Sequence, residues 1–338
     1  MVTLAPVPHR LSSAAIGGAS AFIGVSKVFR AHNSLMSKTD EFRILGRRPG
    51  NDESIRFEYR GLTFDQGSFH VFAGLNAVDT REYVEQVFAA LKDAGQRCAR
   101  MGAYKPRTSP YSFQGYGRQC LPYVFELAGK YDIGVVAMEV THDEHVDEIR
   151  QALHATGSPT GVMLQIGTRN TQNFELLKTV GSQRDFPILL KRGFGITLHE
   201  SLLAAEYVAS EGNRDIVFCL RGMKTNFGDP HRNLVDFAHV PTVKRLTRMP
   251  VCVDPSHSVG TRDASPEGIP DVFHAAAQGV IAGANMVLVD MHPEPRRALV
   301  DAGQAITLEE LPWLLEDLAI AREAWLVRRE VAQRHGPE

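Results

Sequence analysis

Several basic residues of this chain stand at or just after the ends of short apolar segments, where they could bind an anion together. They are Arg100, Arg169, Lys191 and Arg221. One such arginine is readily explained by a surface ion pair, but repetition at several segment ends argues against that explanation. Gathered into one buried site, these cations would repel one another unless a polyanion lay between them. The pattern predicts a pocket for a phosphorylated substrate, and the number of cations favours two such substrates.

A second set of anion-binding side chains lies in the stretch GAYKPRTSPYSFQG, residues 102–115. Two prolines hold the residues before them, Lys105 and Ser109, in extended conformations, because a residue that precedes proline is disfavoured in the helical region. Lys105, Arg107, Thr108 and Ser109 then present ammonium, guanidinium and hydroxyl donors, which suit phosphate. The alternative is a structural loop that carries such donors by chance.

His257, Asp290 and Asp301 form a further set, one imidazole and two carboxylates from different parts of the chain. Such groups could coordinate a divalent ion, or they could serve as acid and base. Each of them taken singly is better explained by a hydrogen-bonded structural role. Their occurrence beside a cationic pocket favours a functional site.

The elements that must position these residues are eight short apolar segments, each followed by a stretch with helical spacing. They are FHVFAG (69–74), RCARMGAY (97–104), GVVAMEV (134–140), GVMLQIG (161–167), PILLKRG (187–193), DIVFCLRG (215–222), PVCVDPSH (250–257) and NMVLVDMH (285–292). Alternating strands and helices predict a parallel sheet, and eight units fit a closed (β/α)8 TIM barrel better than an open doubly wound sheet. A barrel brings all strand ends to one face, where active sites form.

The segments outside this repeat complete the predicted organisation. Residues 1–40 are expected to form an N-terminal arm, and residues 41–68 a short β-hairpin that turns at Pro49-Gly50. The catalytic barrel then spans 69–306, and a C-terminal helix spans 307–338. The broad apolar face of that helix indicates packing or a subunit contact.

Composition excludes several classes of protein. The chain has 338 residues, of which 43% are hydrophobic and 22% charged, and its net charge is −2, with the 37 basic residues spread along it. A nucleic-acid groove is therefore not predicted. The four cysteines form no CxxC pair, which argues against disulfides or a zinc knuckle and for the cytoplasm. The stretch 12–25 is too short to span a membrane.

The motifs, taken in order, resemble those of the 3-deoxy-7-phosphoheptulonate synthases, closest to the type I beta branch. Besides GAYKPRTSPYSFQG they are IGTRNTQNFELLK (166–178), PILLKRGFG (187–195), AAEYVASEGN (204–213), VDPSHSVGTRD (253–263), HPEP (292–295) and DAGQ (301–304). The resemblance implies the first step of the shikimate route, in which phosphoenolpyruvate condenses with erythrose 4-phosphate. The KPRTS element favours this family over the related octulosonate synthases.

The resemblance also implies roles for matching residues. Phosphoenolpyruvate would be held by Arg100, Lys105, Arg169, Lys191 and Arg221. The phosphate of the aldose would be held by Arg107, Thr108 and Ser109. Lys105 would donate a proton to the forming alkoxide, and His257 and Asp301 would complete the catalytic set.

The metal site implied by the family is where this sequence departs from the pattern. The family has AGPC after the first strand, with cysteine as a ligand, but here the stretch is AGLN and ends in Asn76. Asp290 replaces the usual glutamate, whereas His257 and Asp301 match. Since an amide is a weaker ligand than a thiolate, we expect no tightly bound metal, or a weakly held Mn²⁺ or Mg²⁺ rather than Zn²⁺ or Fe²⁺.

Two other functions stay open at this point. One is a related condensation of phosphoenolpyruvate with a different aldehyde in secondary metabolism, and the other is a catalytically impaired barrel that binds phosphometabolites. The resemblance implies a homodimer or homotetramer. Residues 1–40 are too few for the ferredoxin-like domain of some relatives, so no built-in aromatic amino-acid sensor is expected.

Overall fold

The computed structural model describes residues 41–336, so the predicted arm at 1–40 lies outside the described residues. Within this part of the chain there are ten strands. They are β1 (Phe57–Tyr59), β2 (Leu62–Phe64), β3 (His70–Leu75), β4 (Cys98–Met101), β5 (Val135–Val140), β6 (Gly161–Ile166), β7 (Ile188–Lys191), β8 (Ile216–Leu220), β9 (Val251–Val253) and β10 (Met286–Asp290). Strands β3 to β10 are parallel neighbours in a closed barrel, in which β10 pairs with β3. The predicted (β/α)8 barrel is confirmed, and an open sheet is excluded.

The helices alternate with the barrel strands, as the sequence predicted. They are α1 (Arg81–Asp93), α2 (Leu121–Lys130), α3 (Glu144–Ala155), α4 (Phe174–Ser182), α5 (Leu198–Ser210), α6 (Val240–Leu246), α7 (Pro255–Val259), α8 (Asp271–Ile281) and α9 (Leu311–His335). Helix α1 begins after Thr80, whose hydroxyl accepts a hydrogen bond from the Tyr83 backbone N–H. It ends before Gly95, whose φ of 68° is the left-handed conformation that terminates helices.

The hairpin that precedes the barrel turns at a different place from the predicted one. A tight turn does lie at Pro49-Gly50, between the bridged residues Arg48 and Asn51. The paired strands, however, are β1 and β2, joined at Arg60-Gly61, where φ is 53° and 72°. Positive φ at both central residues is the geometry that matches the twist of a two-residue hairpin, and glycine at the second supplies it without strain.

The barrel interior is apolar in its lower part and polar at the carboxyl ends of its strands. Cys98 and Leu189 lie in the apolar interior, and because strand side chains alternate, Arg100 and Lys191 also point inward, one layer higher. The same alternation places Asn76, Glu139, Gln165, Arg221, Asp254 and Asp290 in or just above this polar layer. These inward-facing polar side chains therefore form the floor of a site at the carboxyl ends of the strands.

The C-terminal helix α9 packs on the barrel through the buried residues Leu311, Leu314, Leu318 and Ala321. Its remaining turns extend beyond that contact and are largely exposed. Within residues 41–336, none of the helices combines the length and the apolar character that crossing a membrane requires.

Candidate functional site

A cavity of about 360 Å³ opens at the carboxyl ends of the barrel strands. It brings together ten residues that the sequence assigned to a site: Arg100, Lys105, Arg107, Thr108, Ser109, Arg169, Lys191, Arg221, His257 and Asp301. The other two, Asn76 and Asp290, lie just beneath it and contact its lining residues. Residues that are far apart in the sequence thus share one wall.

The loop between β4 and α2 carries four of the lining donors. Its base is closed by hydrogen bonds from the Lys105 N–H to the Gln114 carbonyl, 2.9 Å, and from the Gly117 N–H to the Ala103 carbonyl, 2.9 Å. The Tyr104 ring stacks on His145 with centroids 3.6 Å apart. These contacts hold the loop over the cavity independently of any ligand.

Lys105 lies at the floor of the cavity, with only 8% of its surface exposed. Its Nζ donates to Asn76 Oδ1 at 2.7 Å and faces Glu139 Oε2 at 3.5 Å. Burial is the main reason that the pKa of Lys105 falls to about 8, although Glu139 opposes the change. The amine is still mostly protonated at neutral pH, and it is a stronger acid than an exposed lysine.

Gly167 makes room for the carboxylate of Glu139. A Cβ at this position would overlap Glu139 Oε1, so a larger residue here would push that carboxylate away from Lys105. Gln165 Nε2 donates to Glu139 Oε2 at 3.3 Å and fixes the same group from the other side.

Asn76 stands at the centre of the predicted metal site, and its amide is fully engaged. Its Oδ1 accepts from Lys105 and also from Arg100 at 2.6 Å, and its Nδ2 donates to Asp301 Oδ2 at 2.6 Å. The opposite orientation would set the amide hydrogens against two cations. The oxygen that would have to bind a metal thus already serves two cationic donors.

Asp290, the second predicted ligand, is likewise engaged by the protein. It forms a buried ion pair with Arg100, and it accepts a hydrogen bond from Gln304 Nε2 at 2.6 Å. Among residues 41–336, no group of three or more histidine, cysteine or acidic side chains is arranged to hold a metal ion. Arg100 is directed at oxygens of both Asn76 and Asp290, and Lys105 is directed at that of Asn76. The residues present therefore do not fit a tightly held divalent ion.

His257 and Asp301 face each other across the cavity wall, with His257 Nε2 3.8 Å from Asp301 Oδ2. Burial holds the pKa of His257 well below its ordinary value, so the ring is neutral. Burial alone would raise the pKa of Asp301, but the positive charges of Arg232, Lys105 and Arg107 lower it below its ordinary value. Asp301 is therefore an anion throughout the physiological range.

Other residues of the wall were missed by the sequence analysis or given no role there. They are Glu139, Gln165, Phe194, Lys224 and Arg232. Lys224 and Arg232 belong to the loop after β8, where Met223 pairs with Leu234 and turns both cations toward the cavity. The sequence feature that could have identified them as site residues is that both are basic and follow the strand-end residue Arg221.

Phe194 lies among three of these cations. The charged groups of Arg169, Arg221 and Lys224 are 5.7, 6.0 and 5.8 Å from its ring centroid. The negative face of an aromatic ring attracts such groups, so Phe194 helps to keep like charges together.

The cavity wall carries a large excess of positive charge. It contains eight lysines and arginines, namely Arg100, Lys105, Arg107, Arg169, Lys191, Arg221, Lys224 and Arg232, against two carboxylates, Glu139 and Asp301. A site of this kind suits small molecules that bring several negative charges, and the buried Lys105 can supply a proton to a bound reactant.

Comparison with known proteins places this geometry in a family. A family model described as the DAHP synthetase I family matches residues 57–323. The chain is 40% identical over 271 residues to a phospho-2-dehydro-3-deoxyheptonate aldolase of Thermotoga maritima, an alignment that covers 80% of this chain and 75% of that protein. A 2-dehydro-3-deoxyphosphooctonate aldolase of Syntrophobacter fumaroxidans is 29% identical, with 78% and 90% covered.

A solved structure gives the same result. The crystal structure of phospho-2-dehydro-3-deoxyheptonate aldolase (DAHP synthase) from Thermotoga maritima superposes with a TM-score of 0.73 and 34% sequence identity. The match covers 83% of this chain and 76% of the solved one. It includes the barrel on which the cavity is built.

Proposed function

Since this chain belongs to the DAHP synthetase I family, as the motif series predicted, we propose that it joins phosphoenolpyruvate to erythrose 4-phosphate. The products are 3-deoxy-7-phosphoheptulonate and inorganic phosphate, and the reaction is the first step of the shikimate pathway. The observation that carries this proposal is one cavity whose wall holds eight cations, including the buried proton donor Lys105.

The charge of the two substrates matches that wall. Phosphoenolpyruvate brings a carboxylate and a phosphate, and erythrose 4-phosphate brings a second phosphate, each phosphate being close to doubly charged at pH 7. We assign phosphoenolpyruvate to Arg100, Lys105, Arg169, Lys191 and Arg221. We assign the aldose phosphate to Arg107, Thr108 and Ser109. Arg169 donates to Thr108 Oγ1 at 3.2 Å, so the two groups adjoin.

Lys105 is the proton donor in this scheme. The methylene carbon of phosphoenolpyruvate attacks the aldehyde carbon, and the aldehyde oxygen takes a proton from the Lys105 ammonium. Its pKa of about 8 makes Lys105 a proton donor that is both protonated and effective near pH 7. Held by Asn76 on the cavity floor, the amine cannot swing out to solvent.

The second half of the reaction needs water at C2 and a place for its proton. His257 is neutral, and its Nδ1 is engaged by Asp254 at 3.1 Å, which leaves Nε2 free to accept a proton. The negative Asp301, 3.8 Å away, stabilises the imidazolium that forms. The C2 hydroxyl then gives its proton back to the Lys105 amine as the ketone forms, and the bond from C2 to the bridging phosphate oxygen breaks. The His257 imidazolium returns its proton to the departing phosphate, whose charge the arginines stabilise.

We propose that these steps proceed without a tightly bound metal. The reason is the arrangement around Asn76, where Lys105 and Arg100 supply the positive charge at the position where a metal would lie. A weakly held Mn²⁺ or Mg²⁺ is the alternative, and chelation distinguishes the two.

The test of the activity is a phosphate-release assay with phosphoenolpyruvate and erythrose 4-phosphate. The expected result is one phosphate released for each 3-deoxy keto acid formed, the latter detected after periodate cleavage. A panel of other aldehydes runs in parallel. Turnover with only one of these other aldehydes would show that it, rather than erythrose 4-phosphate, is the acceptor. Binding of phosphoenolpyruvate without any turnover would show that the protein is a catalytically impaired barrel that binds phosphometabolites.

The assembly and location of the protein are also proposals. We propose a homodimer or homotetramer, and the exposed apolar residues Ile320 and Val327 of α9 support a contact between copies. All four cysteines are free and buried, which supports a cytoplasmic location. Light scattering of the purified protein measures the number of subunits.

A further inference from the structure

Asp254 is a buried carboxylate that lies behind the cavity and takes no direct part in the proposed reaction. Its side chain is 0% exposed. One oxygen accepts from Lys191 Nζ at 2.5 Å, and the other accepts from His257 Nδ1 at 3.1 Å. Both partners line the cavity, whereas Asp254 does not. One carboxylate therefore joins a substrate-binding cation to the histidine opposite.

The position of Asp254 is fixed by the backbone on both sides. It directly follows β9, and its N–H donates to the Leu220 carbonyl of β8 at 2.9 Å. It is also the residue before α7, where its carboxylate accepts from the His257 backbone N–H at 3.1 Å. These backbone contacts fix the location of the carboxylate independently of the side chains that pair with it.

Asp254 also acts on cations that it does not touch. Its negative charge opposes the loss of charge that burial imposes on Arg100 and on Arg221. Burial alone would raise the pKa of Asp254, but His257, Lys191 and Arg100 hold it well below its ordinary value. The carboxylate stays ionised and offsets part of the repulsion among the strand-end cations.

We propose that Asp254 is a positioning residue that aligns Lys191 for phosphoenolpyruvate and fixes the His257 ring with Nε2 toward the cavity. The inference rests on the proposed function for the identity of the ligand. It assigns to one buried carboxylate the alignment of Lys191 and of the His257 ring in the absence of substrate.

The sign of the effect separates this role from simple electrostatics. Removing a negative charge from beneath an anion-binding site makes the site more positive, and charge alone then predicts tighter binding of phosphoenolpyruvate. Loss of alignment predicts the opposite, because Lys191 is left without its buried partner and turns away from its binding position. The two explanations move the dissociation constant in opposite directions.

The test is Asp254→Asn, which keeps the shape of the side chain and its cap of α7 but removes the charge. We expect the dissociation constant for phosphoenolpyruvate, measured by calorimetry, to rise on the order of 30-fold. We also expect kcat to fall, because the His257 ring loses its fixed orientation. Binding as tight as that of the parent, or tighter, overturns the proposal.

Asp236→Asn is the matched control. Asp236 is an equally buried carboxylate that pairs with a strand-end cation, Arg192, at 2.7 Å, but Arg192 does not line the cavity. Its other oxygen accepts from the Gly222 N–H at 2.8 Å, and asparagine can keep that bond. We expect this variant to lower the melting temperature while phosphoenolpyruvate affinity changes less than about threefold. An equal loss of affinity in both variants would mean a general structural effect and would overturn the proposal.

A double-mutant cycle covers the case in which Asp254→Asn does not fold. Lys191→Met together with Asp254→Asn removes the unpaired buried charge, so this double variant is the one better able to fold. If Asp254 aligns Lys191, the double variant binds phosphoenolpyruvate about as weakly as Lys191→Met alone. A further loss on the order of 30-fold contradicts the assignment.

The orientation of His257 has its own signature. In the parent, nitrogen NMR of labelled histidine should show the hydrogen on Nδ1, and Asp254→Asn should yield a mixture of tautomers. An unchanged spectrum contradicts the second part of the role. Because calorimetry and NMR use phosphoenolpyruvate alone or no ligand, they still decide the role of Asp254 if the parent fails to turn over erythrose 4-phosphate.

Discussion

Lys105 donates a hydrogen bond across 2.7 Å to the side-chain oxygen of Asn76. The motif resemblance implies that Asn76 replaces a metal-binding cysteine, so the proposed proton donor is held by the residue expected in place of a metal ligand. Arg100 donates to the same oxygen at 2.6 Å. The source of the proton and the requirement for metal therefore depend on the same few atoms, and the first predictions concern them.

Lys105→Met should abolish turnover and leave the fold intact. Loss of a positioned proton donor costs on the order of 100- to 10,000-fold in rate, and loss of a phosphoenolpyruvate contact adds to it. Steady-state phosphate release measures the effect, and circular dichroism checks the fold. Lys130→Met, at an exposed lysine outside the cavity, is the matched control and should retain parental activity. Turnover by the Lys105 variant would remove Lys105 from the mechanism.

The rate should fall as pH rises through the pKa of Lys105, which is about 8. Lys105 must be protonated to donate a proton, so the active, protonated form predominates below that pH and is lost above it. A profile of kcat/KM, which reports the pKa of the free enzyme, from about pH 6 to about pH 10 should show this basic limb. A rate that stays level to the end of the range would mean that another group gives the proton.

Excess EDTA should leave the activity unchanged, because the oxygens of Asn76 and Asp290 already serve Arg100, Lys105 and Gln304. The measurement compares initial rates before and after chelation and dialysis, together with the metal content of the protein. Activity that vanishes and returns on addition of Mn²⁺ or Mg²⁺ would show that a weakly held ion is required.

Arg107→Ala should weaken the aldose site selectively. A charge-assisted bond to phosphate contributes about 1.5 to 3 kcal/mol, so the KM for erythrose 4-phosphate should rise roughly 10- to 100-fold. The KM for phosphoenolpyruvate should change little. Arg118→Ala, in the same loop region but outside the cavity lining, is the control. A rise confined to the KM for phosphoenolpyruvate would place Arg107 in the other subsite, and equal rises in both KM values would contradict a selective role.

Lys244→Met should stabilise the protein at neutral pH. Burial, with Arg322 and Arg329 nearby, lowers the pKa of Lys244 to about 7, far below its ordinary 10.5. Between these two values the folded state thus binds fewer protons than the unfolded state. The buried charge destabilises the folded state in full below about pH 7, and this destabilisation decreases as pH rises toward 10.5.

Urea unfolding of this variant and the parent at two pH values measures the effect. We expect a gain of roughly 1–2 kcal/mol in the free energy of unfolding near pH 7, after allowance for screening and for the lost hydrogen bond to the Gly283 carbonyl. The difference should shrink near pH 9.5. A gain that does not depend on pH would point to packing against Trp325 rather than to charge.

The barrel and the residue types at its mouth could be predicted from the sequence alone. Eight alternations of apolar segment and helical stretch admit few other folds, and a parallel barrel sends every strand end to the same face. Arg100, Lys191 and Arg221 could therefore be placed near one another without any knowledge of distances. The hairpin was less predictable, because its turn depends on Arg60-Gly61, a weaker signal than Pro49-Gly50.

The pairing of these side chains could be read only from the folded chain. Asn76 and Asp301 are 225 positions apart, and Lys191 and Asp254 are 63 apart. The spacing of residues along a strand says which way a side chain points, but it carries no information on which neighbour of opposite charge it meets across the barrel. That choice depends on register and loop closure, and it is what directed Asn76 to Lys105 and Arg100 rather than leaving its oxygen free for a metal.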